Sequence, residues 1–203
     1  MYNDTWGEIG WTIVDYYLRR KISFYGVKRT FAPVKLSMRE VDGQLIVQGC
    51  NDTEETVTIK GMFGYKAFDG KIDKTKPVSF TLKPRSRTYI VREDLPKEDY
   101  FTGSIMFIPE GGTKVDAVNS VMLRMNDTRK LSFGNAEVEV LDNVQCEGGR
   151  MLTLKSNSYA HGVYIKDDSL HCSDNYFDLL PGETKSIVVK CAKDAKLEIC
   201  KVK

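Results

Sequence analysis

A group of three carboxylates is the first candidate for chemistry in this sequence. Asp167, Asp168 and Asp174 lie close together in the chain, and carboxylate oxygens are ligands that Ca²⁺ prefers. A loop with all three side chains could hold one ion. Three carboxylates on a loop are more often simply solvated, however, so we predict no metal site and no cofactor.

Serine and histidine offer another kind of chemistry. Ser156, Ser158 and His161 could pair a nucleophile with a base, but they lack the Gly-x-Ser-x-Gly turn that exposes a nucleophilic serine. His161, His171 and Cys172 do not form the spacing of a zinc site with any second pair. We therefore predict no hydrolytic triad and no zinc centre.

The cysteines do not indicate redox or metal chemistry either. The sequence contains Cys50, Cys146, Cys172, Cys191 and Cys200. Their odd number and the lack of a C-x-x-C pair are not typical of a disulfide framework. We expect most of them to be small buried hydrophobic residues, while a bridge among the last three stays open.

The charge of the chain is balanced. Its 203 residues include 30 Lys+Arg and 28 Asp+Glu, for a net charge of +2. Basic and acidic residues also alternate, so we predict no nucleic-acid partner. No apolar run approaches the roughly 20 residues that span a bilayer, so we predict no membrane partner. Met1 is followed by polar residues and not by a secretory signal, which leaves the compartment open.

From about residue 34 onward, apolar and polar residues alternate with a period of two, which is typical of strands. Asp42-Gly43 and Asp69-Gly70 mark hairpin turns, and the series ends at Val121, Leu123 and Met125. Six or seven short strands without a helical period between them predict a β-sandwich over residues 31–128.

A polar stretch, NDTRK at residues 126–130, precedes a second series of strands. The series begins where Ala136, Val138 and Val140 alternate with Glu137 and Glu139, and we predict further strands at 151–155, 162–166, 176–180, 185–190 and 196–200. They would form a second, smaller sandwich over residues 129–203, because a boundary near residue 128 gives two units of ordinary domain size.

The first 30 residues differ from the rest. Both tryptophans, Trp6 and Trp11, lie here, ahead of a predicted helix of about three turns between Tyr16 and Arg29. The apolar side of this helix would consist of Tyr17, Leu18, Ile22 and Tyr25. So short an element, with so many aromatic residues, looks like the end of a domain whose remainder is absent.

Two segments carry a resemblance to a known family. Residues 3–34, NDTWGEIGWTIVDYYLRRKISFYGVKRTFAPV, resemble the end of the catalytic barrel in family 2 glycoside hydrolases of the β-mannosidase type. Residues 173–183, SDNYFDLLPGE, resemble a stretch of the last immunoglobulin-like domain in the same enzymes. The resemblance implies that residues 1–30 are the last segment and helix of a (β/α)8 barrel. Two immunoglobulin-like β-sandwiches would follow them.

The resemblance also implies a function for the parent protein. Such enzymes hydrolyse terminal β-mannosides with retention of configuration. By this analogy Asn3, Asp4 and Trp6 lie at the sugar pocket, where the strand ends of a barrel build the active site. Trp6 would offer an apolar face to a pyranose, Asp4 would accept hydrogen bonds from its hydroxyls, and Trp11 would belong to the core of the barrel.

The catalytic carboxylates of that family are missing from this sequence. Retaining glycosidases need two carboxyl groups about 5–5.5 Å apart, and in this family an asparagine directly precedes the acid/base glutamate. None of the eight asparagines is followed by glutamate, and Glu8 follows a glycine on a loop. A barrel also needs on the order of 250 residues. We therefore predict no catalytic residue here and no activity for the chain alone.

The implied partners are the missing barrel of the same protein and, in that parent, a carbohydrate substrate. We expect residues 1–30 to dock on the first sandwich or on a second copy, which would allow self-association. The family resemblance favours a periplasmic, secreted or lysosomal parent.

A free-standing carbohydrate-binding or adhesive module is the alternative function, and a purely structural role also stays open. A binding module would place its aromatic residues on an exposed sheet face. The alternation instead places Phe63, Phe80 and Phe107 inward, which favours core positions. The three N-x-T sequons at residues 3, 51 and 126 are interpreted as turn residues at strand ends.

Overall fold

The computed structural model describes residues 2–6, 10–111, 117–118, 129–167 and 169–202. Four features named above lie outside these residues: Glu8, Asn126, Asp168 and the strand that ends at Met125. The chain divides into two compact units, one of Arg29–Gly134 and one of Met1–Lys28 with Asn135–Lys203.

Among its described residues, the first unit contains seven strands. They are β1 (Val34–Val41), β2 (Gln44–Asn51), β3 (Val57–Ala67), β4 (Lys76–Leu82), β5 (Ser86–Asp94), β6 (Gly103–Pro109) and β7 (Ala117–Val118). One sheet has the order β5-β2-β1-β7 and the other the order β4-β3-β6. The alternation in the sequence matches this arrangement, because Phe107 is fully buried and Phe63 and Phe80 pack against the same core.

One buried polar side chain joins the strand ends of this unit. Asn51 is 0% exposed, and its Nδ2 donates to the carbonyls of Glu55 (2.7 Å), Lys83 (3.1 Å) and Leu82 (3.2 Å). Its Oδ1 accepts from both the backbone N–H and the hydroxyl of Thr53. The sequon at this position therefore has its amide buried inside the fold, in agreement with a turn role.

The second unit contains the other seven strands. They are β8 (Val138–Cys146), β9 (Gly149–Ser156), β10 (Ala160–Ile165), β11 (His171–Cys172), β12 (Phe177–Leu179), β13 (Thr184–Lys190) and β14 (Ile199–Cys200). Its sheets have the orders β11-β13-β9-β8 and β12-β10-β14. Leu154, Val163 and Val189 are fully buried in its core. The prediction of a mainly β chain built from two sandwiches is confirmed.

Strand β8 is the outer strand of its sheet within the described residues. It pairs with β9, and the register shifts between Val140 and Asp142, which leaves Leu141 as an extra residue. Val140, Leu141 and Val144 are each about two-fifths exposed. β8 is therefore a bulged edge strand with water on both faces.

The helix of the opening residues is shorter than predicted. Helix α1 (Ile22–Thr30) begins six residues later than expected, and Tyr17, Leu18 and Ile22 are exposed. The physical reason is a tight turn: Asp15 accepts from the backbone N–H of Arg19 at 2.8 Å, and Leu18 has a φ of 62°. A left-handed residue cannot continue a right-handed helix.

The expected docking on the first sandwich is wrong. Tyr25 is 1% exposed and lies in the core of the second sandwich, with Phe24 packed beside it. Arg20 Nη1 also donates to the carbonyl of Cys172 at 3.0 Å. Residues 1–28 accordingly belong to the same compact unit as residues 135–203, and the predicted apolar side is buried only at Tyr25.

A single described helix, α1, is present, and it is too short and too polar to cross a membrane.

Candidate functional site

Three short stretches ahead of helix α1 are tied together by backbone hydrogen bonds. Val14 N donates to the carbonyl of Tyr2 at 2.9 Å, and Asp4 N donates to the carbonyl of Val14 at 3.1 Å. Lys21 N donates to the carbonyl of Ile13 at 3.0 Å. We call residues 2–21 the opening segment. Its backbone pairing fixes Asn3 and Asp4 beside Val14, and Trp6 follows in a bend.

Lys21 is the centre of the opening segment. Its ammonium contacts Asp4 Oδ2 at 2.8 Å, Thr12 Oγ1 at 3.0 Å and the carbonyl of Gly10 at 3.1 Å. Asp4 is 8% exposed and the Lys21 side chain is 30% exposed, so this ion pair is partly buried. Hydrogen bonds from Lys21 and then from Thr12 hold the pKa of Asp4 below its usual range. The carboxylate is therefore ionised, and it is occupied within the segment.

The second oxygen of Asp4 also faces inward. A Cβ built on Gly10 would lie 2.0 Å from Asp4 Oδ1, a distance that no side chain allows. Gly10 is thus required for the close approach of the loop to the carboxylate. With both oxygens turned toward the segment, the geometry of Asp4 favours holding the loop over reaching a ligand.

The large aromatic side chains of the opening segment point into solvent. Trp6 is 72% exposed, Trp11 is 96% exposed and Tyr17 is 68% exposed. Asn3 is exposed as well, and its Nδ2 lies 3.4 Å from the carbonyl of Asp4. The three predicted sugar-pocket residues are near neighbours in the chain. In the structure the side chain of Asp4 is turned inward, and that of Trp6 is turned outward. Trp11, expected in the core of a barrel, is uncovered in this chain.

A second polar cluster lies in the sandwich of the same unit. Asp178 Oδ1 contacts His161 Nδ1 at 2.9 Å and accepts from the N–H of Gly162 at 2.9 Å. Asp178 Oδ2 accepts from the hydroxyl of the fully buried Tyr159 at 2.8 Å. The hydrogen bond that His161 makes to the Asp178 carboxylate raises the pKa of His161. Burial strongly raises the pKa of Tyr159, which remains a neutral donor.

The Tyr159 hydroxyl, the His161 ring and the Gly162 amide all stabilise the ionised form of Asp178. Burial opposes ionisation and is the largest influence, but the hydrogen bond from His161 and that from Gly162 leave the pKa of Asp178 below its usual value. Ser156, which the sequence analysis considered as a nucleophile, does not face His161. Its Oγ donates to the carbonyl of Glu137. The cluster therefore has the pattern of a structural network and lacks a nucleophile.

The other sequence candidates do not form sites within the described residues. Asp174 pairs with Lys185 at 2.8 Å, and Asp167 accepts from the N–H and hydroxyl of Ser169. In the described part of the chain, no three His, Cys, Asp or Glu side chains are placed to hold a metal ion. All five cysteines are free thiols.

Lys21 is the residue of this region that the sequence analysis missed. The sequence shows it only as the third member of a basic run, Arg19-Arg20-Lys21, which reads as a solvated surface. The sequence does offer Asp4 as a carboxylate that a basic residue ahead of the helix could pair with. The 17 positions between Asp4 and Lys21 hid this contact.

The comparisons with known proteins agree with this architecture. Residues 134–202 match the family model Ig_mannosidase, an Ig-fold domain. Over 97% of its length the chain is 27% identical to β-mannosidase B of Thermothelomyces thermophilus, covering 26% of that protein. It is 49% identical to β-mannosidase B of Emericella nidulans over 97% of the chain and 25% of that protein.

Solved structures give the same result. A β-D-mannosidase from Dictyoglomus thermophilum matches 98% of this chain with a TM-score of 0.80 and 26% identity, and the match covers 25% of that protein. The exo-chitosanase CsxA of Amycolatopsis orientalis matches with a TM-score of 0.68, at 18% identity, over 98% of this chain and 29% of that one, which shows a shared fold alone.

The chain spans about a quarter of the length of the curated relatives it matches. It is an immunoglobulin-like C-terminal part of a β-mannosidase-like protein of glycoside hydrolase family 2.

Proposed function

We propose that the chain is a non-catalytic region that completes and braces the catalytic barrel of a longer glycoside hydrolase. The parent activity in this proposal is hydrolysis of terminal β-mannosides with net retention. The observation that carries the proposal is the two-sided character of residues 2–30. One side is anchored in a sandwich core through Tyr25, and the other exposes Trp6, Trp11 and Tyr17.

The exposed side is costly in water. Burying one large apolar side chain is worth roughly 1.5–3 kcal/mol, and an aromatic group that stays uncovered usually marks an interaction site. The barrel of the same protein is the occupant that we propose, because the relatives are about four times longer than this chain. The barrel would cover Trp11 and Tyr17 and leave Trp6 at the edge of the sugar pocket.

The contacts of the opening residues indicate a different role for each side chain in this proposal. The exposed indole of Trp6 is free to stack on the C–H face of a pyranose. Asp4, held by Lys21, positions the loop that carries Trp6, and Asn3 lies beside it with an exposed amide for a sugar hydroxyl. Both catalytic carboxyl groups would come from the barrel, because no asparagine of this chain precedes a glutamate.

Two assays test the proposal. The purified chain should not cleave an aryl β-mannoside above the buffer background, and a turnover that is lost on replacing one of its own glutamates would overturn the assignment. In the full-length parent, Trp6→Ala should raise KM for the aryl β-mannoside about tenfold, since a stacking contact is worth on the order of 1.4 kcal/mol. Lys28→Ala is the matched control: it removes a surface contact to the carbonyl of Ser173 and should leave KM unchanged.

A further inference from the structure

The outer face of the first sandwich carries cations in a regular array. On β1, Val34, Leu36 and Met38 point into the core. Because successive residues of a strand point to opposite faces, Lys35, Ser37 and Arg39 lie on the outer face. The same alternation places one residue of β2 and one of β5 beside each of them.

The pairing of β1, β2 and β5 defines three rows across this face. The rows are Lys35–Cys50–Arg87, Ser37–Gln48–Tyr89 and Arg39–Ile46–Arg92. A register shift after Val47 lets Tyr89 and Arg92 share one face although they are three positions apart. We call this set the arginine–tyrosine face.

The geometry of the arginine–tyrosine face follows from that of the sheet. Neighbouring strands are about 4.8 Å apart and residues rise about 3.4 Å each. The four cations at the corners therefore enclose a rectangle of roughly 10 by 13 Å at the backbone. Tyr89, Gln48 and Ser37 form the row between them.

The charges of the face are only partly compensated. Arg39, Arg87 and Arg92 are exposed. Lys35 pairs with Asp52 at 3.3 Å, and Arg92 Nε contacts an amide oxygen, Gln44 Oε1, at 3.3 Å.

Within the described residues, Arg39 and Arg87 have no carboxylate partner, and Asp94 is the acidic residue in the next row. Tyr89 is 59% exposed, so its ring lies between two arginines of β5 and is open to a ligand.

We propose that the arginine–tyrosine face binds an oligosaccharide that carries carboxylate groups. The planar guanidinium groups of Arg87 and Arg92 match carboxylates with two parallel N–H···O bonds. The ring of Tyr89 supplies the apolar surface on which the C–H face of a sugar stacks. The amide of Gln48 and the hydroxyl of Ser37 both donate and accept, as sugar hydroxyls require.

Other polyanions fit this face less well. Nucleic-acid binding needs many cations along a phosphate backbone, whereas this face has four and the chain has a net charge of only +2. An acidic peptide would use the arginines but would not need the central row of tyrosine, glutamine and serine. The proposed ligand goes beyond the proposed function, because it uses the first sandwich and a different class of saccharide.

Titration calorimetry of the 203-residue chain with an alginate hexasaccharide tests this proposal. We expect saturable binding that weakens as salt rises, and no binding of a neutral mannan hexasaccharide. Tyr89→Ala and the pair Arg87→Ala/Arg92→Ala should each weaken binding at least about tenfold. Lys83→Ala and Lys193→Ala, which remove exposed cations elsewhere, should leave it unchanged.

Three outcomes would overturn the proposal. One is a lack of alginate binding by the native chain. Another is binding of polyglutamate or of a short DNA duplex as tight as that of alginate, which would indicate unspecific attraction to polyanions. The third is unchanged affinity of Tyr89→Ala, since the saccharide would then not use the ring. A near-native circular dichroism spectrum of each variant separates these outcomes from misfolding.

Discussion

Asn51 in the first sandwich and Asp178 in the second perform the same task with different chemistry. Each side chain makes several hydrogen bonds to neighbouring segments of its sandwich. Asn51 is uncharged, fully buried and bonded mainly to backbone carbonyls. Asp178 is charged, partly buried and bonded to His161, Tyr159 and the Gly162 amide.

The difference decides how each sandwich responds to its surroundings. An amide network keeps its hydrogen bonds at every pH at which the protein is folded. A carboxylate paired with a histidine depends on both protonation states, and its hydrogen bonds are stronger because they are assisted by charge. The Asn51 network should therefore add no pH dependence to the first sandwich, whereas the His161–Asp178 pair should make the stability of the second depend on pH.

The largest expected effect is that of Asn51→Ala. The change removes one donor from each of the carbonyls of Glu55, Leu82 and Lys83, while the hydroxyls of Thr53 and Ser86 still reach those of Glu55 and Lys83. We expect the first sandwich to lose about 3 kcal/mol, because three hydrogen bonds of a buried side chain are lost at roughly 1 kcal/mol each. Hydrogen–deuterium exchange of peptides from each sandwich measures the loss separately. The exposed Asn143→Ala should change little, and equal losses for both variants would contradict the role of Asn51.

Asp178→Asn should have the next largest effect. The amide keeps the shape of the carboxylate, but it turns charge-assisted hydrogen bonds into neutral ones and places an NH₂ group against one of the donors. We expect a loss of about 2 kcal/mol in the second sandwich near pH 6. Asp194→Asn, at an exposed position, is the control. Exchange that speeds up in the first sandwich instead would show that the assignment to separate units is wrong.

A paired comparison of two hydroxyl deletions sharpens the contrast. Tyr159→Phe removes a donor from a carboxylate, and Thr53→Val removes one from an amide oxygen that keeps the backbone N–H of Thr53. We expect losses of about 1.5 kcal/mol and about 0.5 kcal/mol in the respective sandwiches. Equal losses in urea unfolding, followed by tyrosine fluorescence and by exchange, would mean that charge does not matter here.

The smallest expected effect is the pH dependence of the native chain. The raised pKa of His161 contributes stability that is complete below its unfolded pKa of about 6.5 and is lost as pH rises through the folded value. The lowered pKa of Asp178 contributes stability above about pH 4 that is lost as pH falls further.

The His161–Asp178 pair should thus stabilise the second sandwich most between about pH 4 and pH 6.5. His161→Gln should flatten the decline above this window, while exchange in the first sandwich should be the same in both proteins. If the stability of the variant falls above pH 6.5 as steeply as that of the native chain, a titratable group other than His161 causes the fall.

The strands were predictable from the sequence, and the contacts between distant elements were not. Alternation over residues such as Val57 and Ile59 reports burial on one face directly, so the two sandwiches followed from it. The start of helix α1 was missed because Tyr17, Leu18 and Ile22 also fit a helical period. The capture of the Arg19 N–H by Asp15 is a local competition that periodicity does not reveal.

The position of the opening segment could not be predicted for a different reason. Arg20 bonds to the carbonyl of Cys172, 152 positions later, and nothing in the spacing of either residue indicates such a partner. Because the opening segment directly precedes the first sandwich in the chain, docking there was predicted. The packing of Tyr25 places the segment on the second sandwich instead. The contact between Lys21 and Asp4 was missed for the same reason, because 17 positions separate them in the chain.

The bulge at Leu141 in β8 determines how this chain behaves at high concentration. A long, flat edge strand exposing residues such as Val140 and Val144 would template strands from other copies and grow into cross-β fibrils. The extra residue interrupts the row of backbone donors and acceptors, and Glu139 and Asp142 place negative charge at the same point. A second copy can pair with only a few residues before the register fails. The bulge thus opposes the strand pairing between copies that fibril formation requires.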